Sequence, residues 1–132
     1  MVSRYLHTES NRLVGFNFSV LRPKDAPVRK VHGVSSGVVS WMKAFSGVFS
    51  QVEQGGSRRG ASIDILEVWH PDIFRFIEAK SDDNLINLAN ISVGITEDFM
   101  EAVRNDEDWD LVFPDTSLPQ YDEEWTGDLE EW

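Results

Sequence analysis

The sequence contains no cysteine among its 132 residues. A chain without cysteine forms no disulfide, holds no thiolate-bound metal and performs no thiol chemistry of its own. It also lacks any apolar run near the ~20 residues that a membrane-spanning helix needs, and its first residues lack the apolar core of a signal peptide. We therefore expect a cytoplasmic protein that does not contact a membrane.

Basic residues are scarce in the second half of the chain and concentrated in the first. Residues 1–60 hold nine of the twelve Lys and Arg residues and three of the twenty-three acidic residues, which leaves a balance of +6. Residues 61–132 hold three basic and twenty acidic residues, a balance of −17. The basic half favours a phosphate-bearing ligand. The acidic half is expected to face solvent or a basic partner, with simple solubility as the equal alternative and mimicry of nucleic acid as a disfavoured one.

Hydrophobic periodicity predicts alternating strands and helices. This order indicates a single α/β domain over residues 14–132 with a partly parallel sheet, preceded by a mobile segment over residues 1–13. The predicted elements are a strand over 14–20, a helix capped by Ser35 or Ser36 and reaching residue 52, a strand over 62–69, a helix from His70-Pro71 with Ile73, Phe74 and Ile77 as its inner stripe, a strand over 88–95, a helix capped by Thr96, and a short strand over 109–113.

Two basic connectors flank the first predicted helix. The first runs from Arg22 to Gly33 and carries Arg22, Lys24, Arg29 and Lys30, whose charges suit phosphate oxygens. The second runs from Gln54 to Gly60, where paired glycines permit close backbone approach and Gln54 can both donate to and accept from a base. The alternatives are a solvated basic loop for the first connector and a helix end followed by a turn for the second.

The first helix has a broad apolar face, typical of core or of a dimer interface rather than of a cofactor site. Its members are Val38, Trp41, Met42, Phe45 and Phe49. We interpret His70 as a helix-cap residue rather than a metal ligand, because no second histidine lies at ligand spacing. The carboxylates of residues 106–131 are expected to form a solvated face, so no metal site is predicted.

Several motifs occur in an order that resembles the large catalytic subunit of ribonucleotide reductases. They are Gly15-Phe16-Asn17-Phe18-Ser19 with Leu21-Arg22-Pro23, then Gln54-Gly55-Gly56-Ser57-Arg58-Arg59-Gly60-Ala61, then Trp69-His70-Pro71-Asp72-Ile73, followed by Asn90-Ile91-Ser92-Val93, Phe99-Met100-Glu101-Ala102-Val103 and Asp108-Trp109. Together they cover roughly residues 14–132. The residues of these motifs are most similar to those of the adenosylcobalamin-dependent class.

The resemblance implies a part of the ten-stranded α/β barrel of that family, with specific roles for both connectors. The effector-binding residues would be Arg22, Lys24, Arg29 and Lys30, which would hold the phosphates of an allosteric deoxynucleoside triphosphate. The loop that links effector to substrate would comprise Gln54, Gly55, Gly56, Arg58 and Ala61, with Gln54 reading the base and Arg58 touching substrate. The helix between them would pack against its twin in a dimer through Val38, Trp41, Met42, Phe45 and Phe49.

The resemblance also implies a parent enzyme that reduces ribonucleotides to deoxyribonucleotides for DNA replication, with adenosylcobalamin in the parent and no cofactor bound by this chain. The radical and redox cysteines of the family are absent here, so this chain is expected to be inactive alone. Its expected partners are nucleotides and either a second copy or the remaining part of the reductase, and not nucleic acid. The alternative is a non-catalytic regulatory module that pairs with a full-length reductase.

Overall fold

The computed structural model describes residues 14–51, 53–54, 58–59, 62–82 and 89–132. The prediction of a mobile segment over residues 1–13 lies outside these residues. The described elements are β1 (Val14–Asn17), β2 (Pro27–Val28), β3 (Gly33–Val34), α1 (Val38–Gln51), β4 (Glu53–Gln54), β5 (Arg58–Arg59), β6 (Ser62–Glu67), α2 (Ile73–Asp82), β7 (Ala89–Gly94), α3 (Glu97–Arg104) and α4 (Pro119–Glu124).

The main sheet is parallel and has the strand order β1-β6-β7. Val14 lies opposite Ser62, and Ser62 lies opposite Ala89. Parallel neighbours need long crossover connections, which α1 and α2 supply. The predicted α/β class and parallel pairing are confirmed, and the three strands form an open sheet rather than a closed barrel within the described residues.

The hydrophobic core lies between this sheet and α1 and α2. Strand β6 alternates, with Ser62, Asp64 and Leu66 buried and the residues between them only half-buried, as expected for a strand with one covered face. The buried core residues are Phe16, Phe18, Val38, Met42, Phe49, Leu66, Ile73, Phe76, Ala79 and Ala89. In the part of the chain that the structure describes, no helix has the length and apolar content needed to cross a membrane.

Two sequence predictions about packing are wrong. Helix α2 buries Ile73, Phe76 and Ala79, whereas Phe74 is 66% exposed and Ile77 is also exposed, because the helix is rotated to turn Phe76 toward the sheet. The segment 109–113 is not a strand. Its Val112 N–H donates to the carbonyl of Trp69, in the turn after β6, so no strand edge is available there for a ladder.

Helix α1 is capped from outside the connector that precedes it. The Val38 N–H donates to a carboxylate oxygen of Asp72 at 3.0 Å, and the Lys24 N–H donates to the same carboxylate at 3.1 Å. Asp72 precedes α2 and is 1% exposed, and Arg75 donates to it at 3.2 Å. The predicted cap at Ser35 or Ser36 is therefore wrong: the Ser35 hydroxyl accepts from the Gly37 N–H instead, and Asp72 satisfies the first turn.

Glycine is required at position 37 by this arrangement. Gly37 has a φ of +86°, and a Cβ there would lie 2.8 Å from Asp72 Oδ2 and 2.9 Å from Lys24 Cβ. A side chain at this position would therefore push the connector away from the Asp72 carboxylate. The close approach lets one carboxylate bind both the connector at Lys24 and the first residue of α1, Val38.

His70 stabilises the region around Asp72 through two hydrogen bonds. Its ring is fully buried, with Nε2 donating to the Leu21 carbonyl at 2.8 Å and Nδ1 accepting from the Asp72 N–H at 3.0 Å. These partners assign the neutral tautomer, and burial lowers the pKa of His70. His70 is thus a structural residue that joins the end of β1 to the start of α2.

Asp64 places a carboxyl group in the covered face of the sheet. It is 1% exposed and accepts a hydrogen bond from the Ser62 hydroxyl at 3.2 Å. Burial raises the pKa of Asp64 from 3.8 to about 6, against the opposing effects of Ser62 and Lys80. The folded protein therefore retains a proton on this group at pH values where the unfolded chain has lost it.

Replacing Asp72 with Ala is expected to lower the free energy of unfolding by roughly 2–4 kcal/mol, because the amides of Lys24 and Val38 lose a charged acceptor. Urea denaturation followed by circular dichroism measures this loss. Glu78→Ala, an exposed acidic position on the same helix, serves as the control and should change stability by less than ~0.5 kcal/mol. Equal effects of the two substitutions would contradict the capping role.

The Asp64 contribution to stability should be fully present below about pH 4 and lost as pH rises through about 6, since its folded pKa is raised. The shift corresponds to about 3 kcal/mol across that window. Asp64→Asn removes the titrating group, so the difference in unfolding free energy between variant and parent should change over this range. Parallel stability profiles from pH 3.5 to 7 would refute the assignment.

Candidate functional site

The first basic connector folds as a small hairpin. Strands β2 and β3 pair antiparallel, with Pro27 opposite Val34 and Val28 opposite Gly33. The turn between them contains Arg29 and Lys30 at its start and His32 with a φ of 48°. The segment predicted as an irregular loop is therefore an ordered structure that projects basic side chains.

Arg22 and Arg29 converge on one carboxylate. Arg22 Nη2 lies 3.0 Å from Asp122 Oδ1, and Arg29 Nη2 lies 3.7 Å from Asp122 Oδ2. The three side chains are partly exposed, at 27% for Arg22, 39% for Arg29 and 29% for Asp122. Two guanidinium groups thus share a single anionic group at a position that solvent reaches.

The Arg22 side chain packs against the aromatic ring of Tyr121. Its guanidinium carbon lies 4.6 Å from the centre of the Tyr121 ring, within the range of a cation–π contact. Burial raises the pKa of Tyr121, while the adjacent Arg22 charge acts in the opposite direction. The Arg22 Nε is buried and has no acceptor within the described part of the chain.

The acidic C-terminal segment packs along the basic connector. Thr116 Oγ1 donates to the Pro27 carbonyl at 2.9 Å, and Trp125 Nε1 donates to the Val20 carbonyl at 2.8 Å. The Trp125 ring also contacts Phe113 and Tyr121. The basic partner expected for the acidic half is therefore, at least in part, the first half of the same chain.

Two of the four predicted effector-binding residues share a contact in the structure. The contacts through Asp122 join Arg22 and Arg29, while the side chains of Lys24 and Lys30 are exposed on the connector. The backbone of Lys24 is held by Asp72. The sequence did not identify Asp122 or Tyr121 as site residues. Asp122 lies among many other acidic residues, and no motif distinguishes it from them.

The second basic connector is described only in part. The backbones of β4 and β5 pair antiparallel, with Glu53 opposite Arg59 and Gln54 opposite Arg58. Gly55, Gly56 and Ala61 lie outside the described residues. Because α1 separates the connectors, Arg22 precedes its N-terminal end and Gln54 follows its C-terminal end.

The predicted dimer face of α1 needs correction. Val38, Met42 and Phe49 are buried in the core of this chain, and Phe45 packs on Phe16, so these four side chains are used internally. Trp41 is 45% exposed. The exposed face of α1 instead includes the apolar residues Trp41, Ala44 and Val48, together with Ser40, Lys43, Gly47 and Gln51.

A separate open cavity of about 1020 Å³ lies at the C-terminal ends of the sheet strands. Ligands of parallel sheets commonly bind at this edge. Its walls are rich in carboxylates, contributed by Glu67, Glu97, Asp98, Glu107, Asp108, Asp110, Asp128, Glu130 and Glu131. Such walls repel phosphate, so the Arg22–Arg29 pair is the better anion site of the two.

Comparison with known proteins gives consistent matches. A family model described as "Ribonucleotide reductase, barrel domain" matches residues 10–132. The chain is 50% identical over 103 residues to a vitamin B12-dependent ribonucleoside-diphosphate reductase of Thermoplasma acidophilum. The aligned region covers 77% of this chain and 13% of the relative. It is 39% identical over 103 residues to the enzyme of the same description from Mycobacterium tuberculosis, covering 77% of this chain and 15% of the relative.

A more distant similarity extends to another type of reductase. The chain is 31% identical over 112 residues to a ribonucleoside-diphosphate reductase subunit alpha of Bacillus subtilis, covering 82% of this chain and 10% of the relative. The chain thus spans about a tenth to a seventh of the length of these relatives. Because the family match covers nearly all of its length, the chain belongs to the ribonucleotide reductase family, within the barrel domain.

Proposed function

We propose that this chain is the part of a ribonucleotide reductase large subunit that binds the phosphates of a deoxynucleotide effector at Arg22 and Arg29. The observation that supports this most strongly is that Arg22 and Arg29, both on the first connector, contact one anionic group, Asp122. Asp72 fixes the backbone on both sides of the hairpin, at Lys24 and at Val38. Guanidinium groups are well suited to phosphate oxygens, and a fixed backbone lowers the entropic cost of binding. Lys24 and Lys30 add positive charge nearby on the same connector.

The catalytic step belongs to the parent enzyme. This chain has no cysteine, so it supplies ligand-binding connectors rather than radical chemistry. Two relatives are named vitamin B12-dependent, and we propose that the parent uses adenosylcobalamin to generate its radical. The acidic cavity at the strand ends does not fit that group, because its carboxylates would repel the phosphate-bearing tail.

Substrate choice in the parent would be set by the second connector. We propose that Gln54, Gly55, Gly56, Arg58 and Ala61 link the effector to the substrate. Helix α1 has 14 residues and is about 20 Å long, so the two connectors of one chain lie at opposite ends of it. Antiparallel pairing of α1 with its twin across a two-fold axis would bring the first connector of one copy beside the second connector of the other.

The outer face of α1 has the composition needed for such pairing. Trp41, Ala44 and Val48 recur at helical spacing, and the small Ala44 side chain permits close approach of a second helix. The exposed indole of Trp41 supplies the largest apolar contact area on this face. We propose a homodimer formed through these three residues.

Arg22→Ala is expected to weaken binding of a deoxynucleoside triphosphate by roughly tenfold or more, because a charge-assisted hydrogen bond to phosphate is lost. Isothermal titration calorimetry with each of the four deoxynucleoside triphosphates measures the change. Arg104→Ala, an exposed arginine at the end of α3, is the matched control and should bind as the parent does. Unchanged binding by Arg22→Ala, with its thermal melt intact, would rule out the proposed phosphate contact.

Trp41→Glu is expected to convert the dimer to a monomer, because a charge would be buried in an apolar helix contact. Light scattering should give about twice the 15.1 kDa chain mass for the parent and the chain mass itself for the variant. Val103→Glu, which alters an exposed apolar residue on α3, should leave the dimer intact. A monomeric parent protein, or dimeric Trp41→Glu, would exclude this interface.

A further inference from the structure

We propose that Asp122 is an internal competitor for the phosphate site and sets its affinity for the effector. This inference rests on the proposed effector role of Arg22 and Arg29. The Asp122 carboxylate contacts both guanidinium groups, and it lies 100 positions after Arg22 along the chain. A phosphate that binds the same nitrogens must first displace the carboxylate.

The carboxylate satisfies this pair of arginines only in part. Asp122 makes a close contact of 3.0 Å with Arg22 but a longer one of 3.7 Å with Arg29. The Nε of Arg22 is left without an acceptor within the described residues. A phosphate group offers three oxygen atoms and more negative charge, so it can supply acceptors that two carboxylate oxygens do not.

The segment that carries Asp122 stays folded by contacts of another kind. Tyr121 is buried, the Trp125 indole donates to the Val20 carbonyl, and Thr116 donates to the Pro27 carbonyl. None of these three contacts requires the charge of Asp122. Rotation of the Asp122 side chain alone would therefore open the arginine pair, while the Tyr121 ring keeps Arg22 in position.

The ion pair is weak enough to be exchanged. All three side chains are partly exposed, and pairs in contact with water contribute little to stability because solvent screens them. Exchange of one anion for another leaves the arginines paired with an anion both before and after the exchange. Asp122 would thus protect the site from weakly bound anions and yield to a polyphosphate.

Asp122→Asn tests the competition directly, with inorganic triphosphate as the probe because it has charge but no base. Calorimetry at low ionic strength should show binding roughly threefold to tenfold tighter than in the parent chain. Glu123→Gln makes the same change in charge at the next position of α4, where the side chain is exposed, and should alter affinity by less than about twofold.

Unchanged or weaker binding by Asp122→Asn would overturn the competition while leaving the phosphate site in place. Equal gains in Asp122→Asn and Glu123→Gln would also overturn it, since a general charge effect would then explain both. Absence of triphosphate binding by the parent and by Asp122→Asn would overturn the proposed effector site together with this inference. Thermal melts of both variants establish that each is folded.

Amide hydrogen exchange supplies a second readout that a purely structural role would not produce. Triphosphate should increase amide exchange in α4 of the parent chain by only about twofold to fivefold, because the released ion pair is weak and the other contacts of the segment remain. The same addition should leave α4 exchange unchanged in Asp122→Asn, where that tie is already weakened. Increased protection of α4 in the parent would contradict displacement of the carboxylate.

Discussion

The fold of the basic connector depends on one buried carboxylate. Asp72 accepts the backbone N–H groups of Lys24 and Val38, so the connector leaves and rejoins the core at a single point. A buried amide without an acceptor destabilises the folded state, so these two hydrogen bonds favour this one arrangement of the connector. Gly37 permits the approach, and His70 holds the end of β1 against the same turn. These contacts fix the backbone on either side of the hairpin that carries Arg29 and Lys30.

The basic and acidic halves of the sequence contact each other within one molecule. The acidic C-terminal segment lies against the basic hairpin, where Asp122 meets Arg22 and Arg29. Aromatic and neutral hydrogen-bond contacts also anchor that segment, so its position does not rest on the charge of Asp122 alone. The phosphate site that we propose would use this arrangement, since pairs of arginines suit phosphate oxygens.

Local patterns predicted much of the fold. The alternation at β1 and β6 and the Thr96 cap of α3, where Thr96 Oγ1 accepts from the Phe99 N–H, depend on residues close in sequence. The failures are all long-range. The rotation of α2 depends on the core residues that it packs against. The segment 109–113 does not pair with a strand of the sheet. Asp72 and Asp122 contact residues that lie 34 to 100 positions away in the sequence. Family motifs indicated the basic connector, but only side-chain geometry identified the two arginines that converge.

In the proposed site, the connector held by Asp72 presents Arg22 and Arg29 to the phosphates of a nucleotide. A crystal structure of the chain soaked with a deoxynucleoside triphosphate would show where the phosphates bind. We expect phosphate oxygens within hydrogen-bond distance of both guanidinium groups, with the Asp72 contacts to Lys24 and Val38 retained. A nucleotide bound away from both arginines, for example in the acidic cavity at the strand ends, would contradict it.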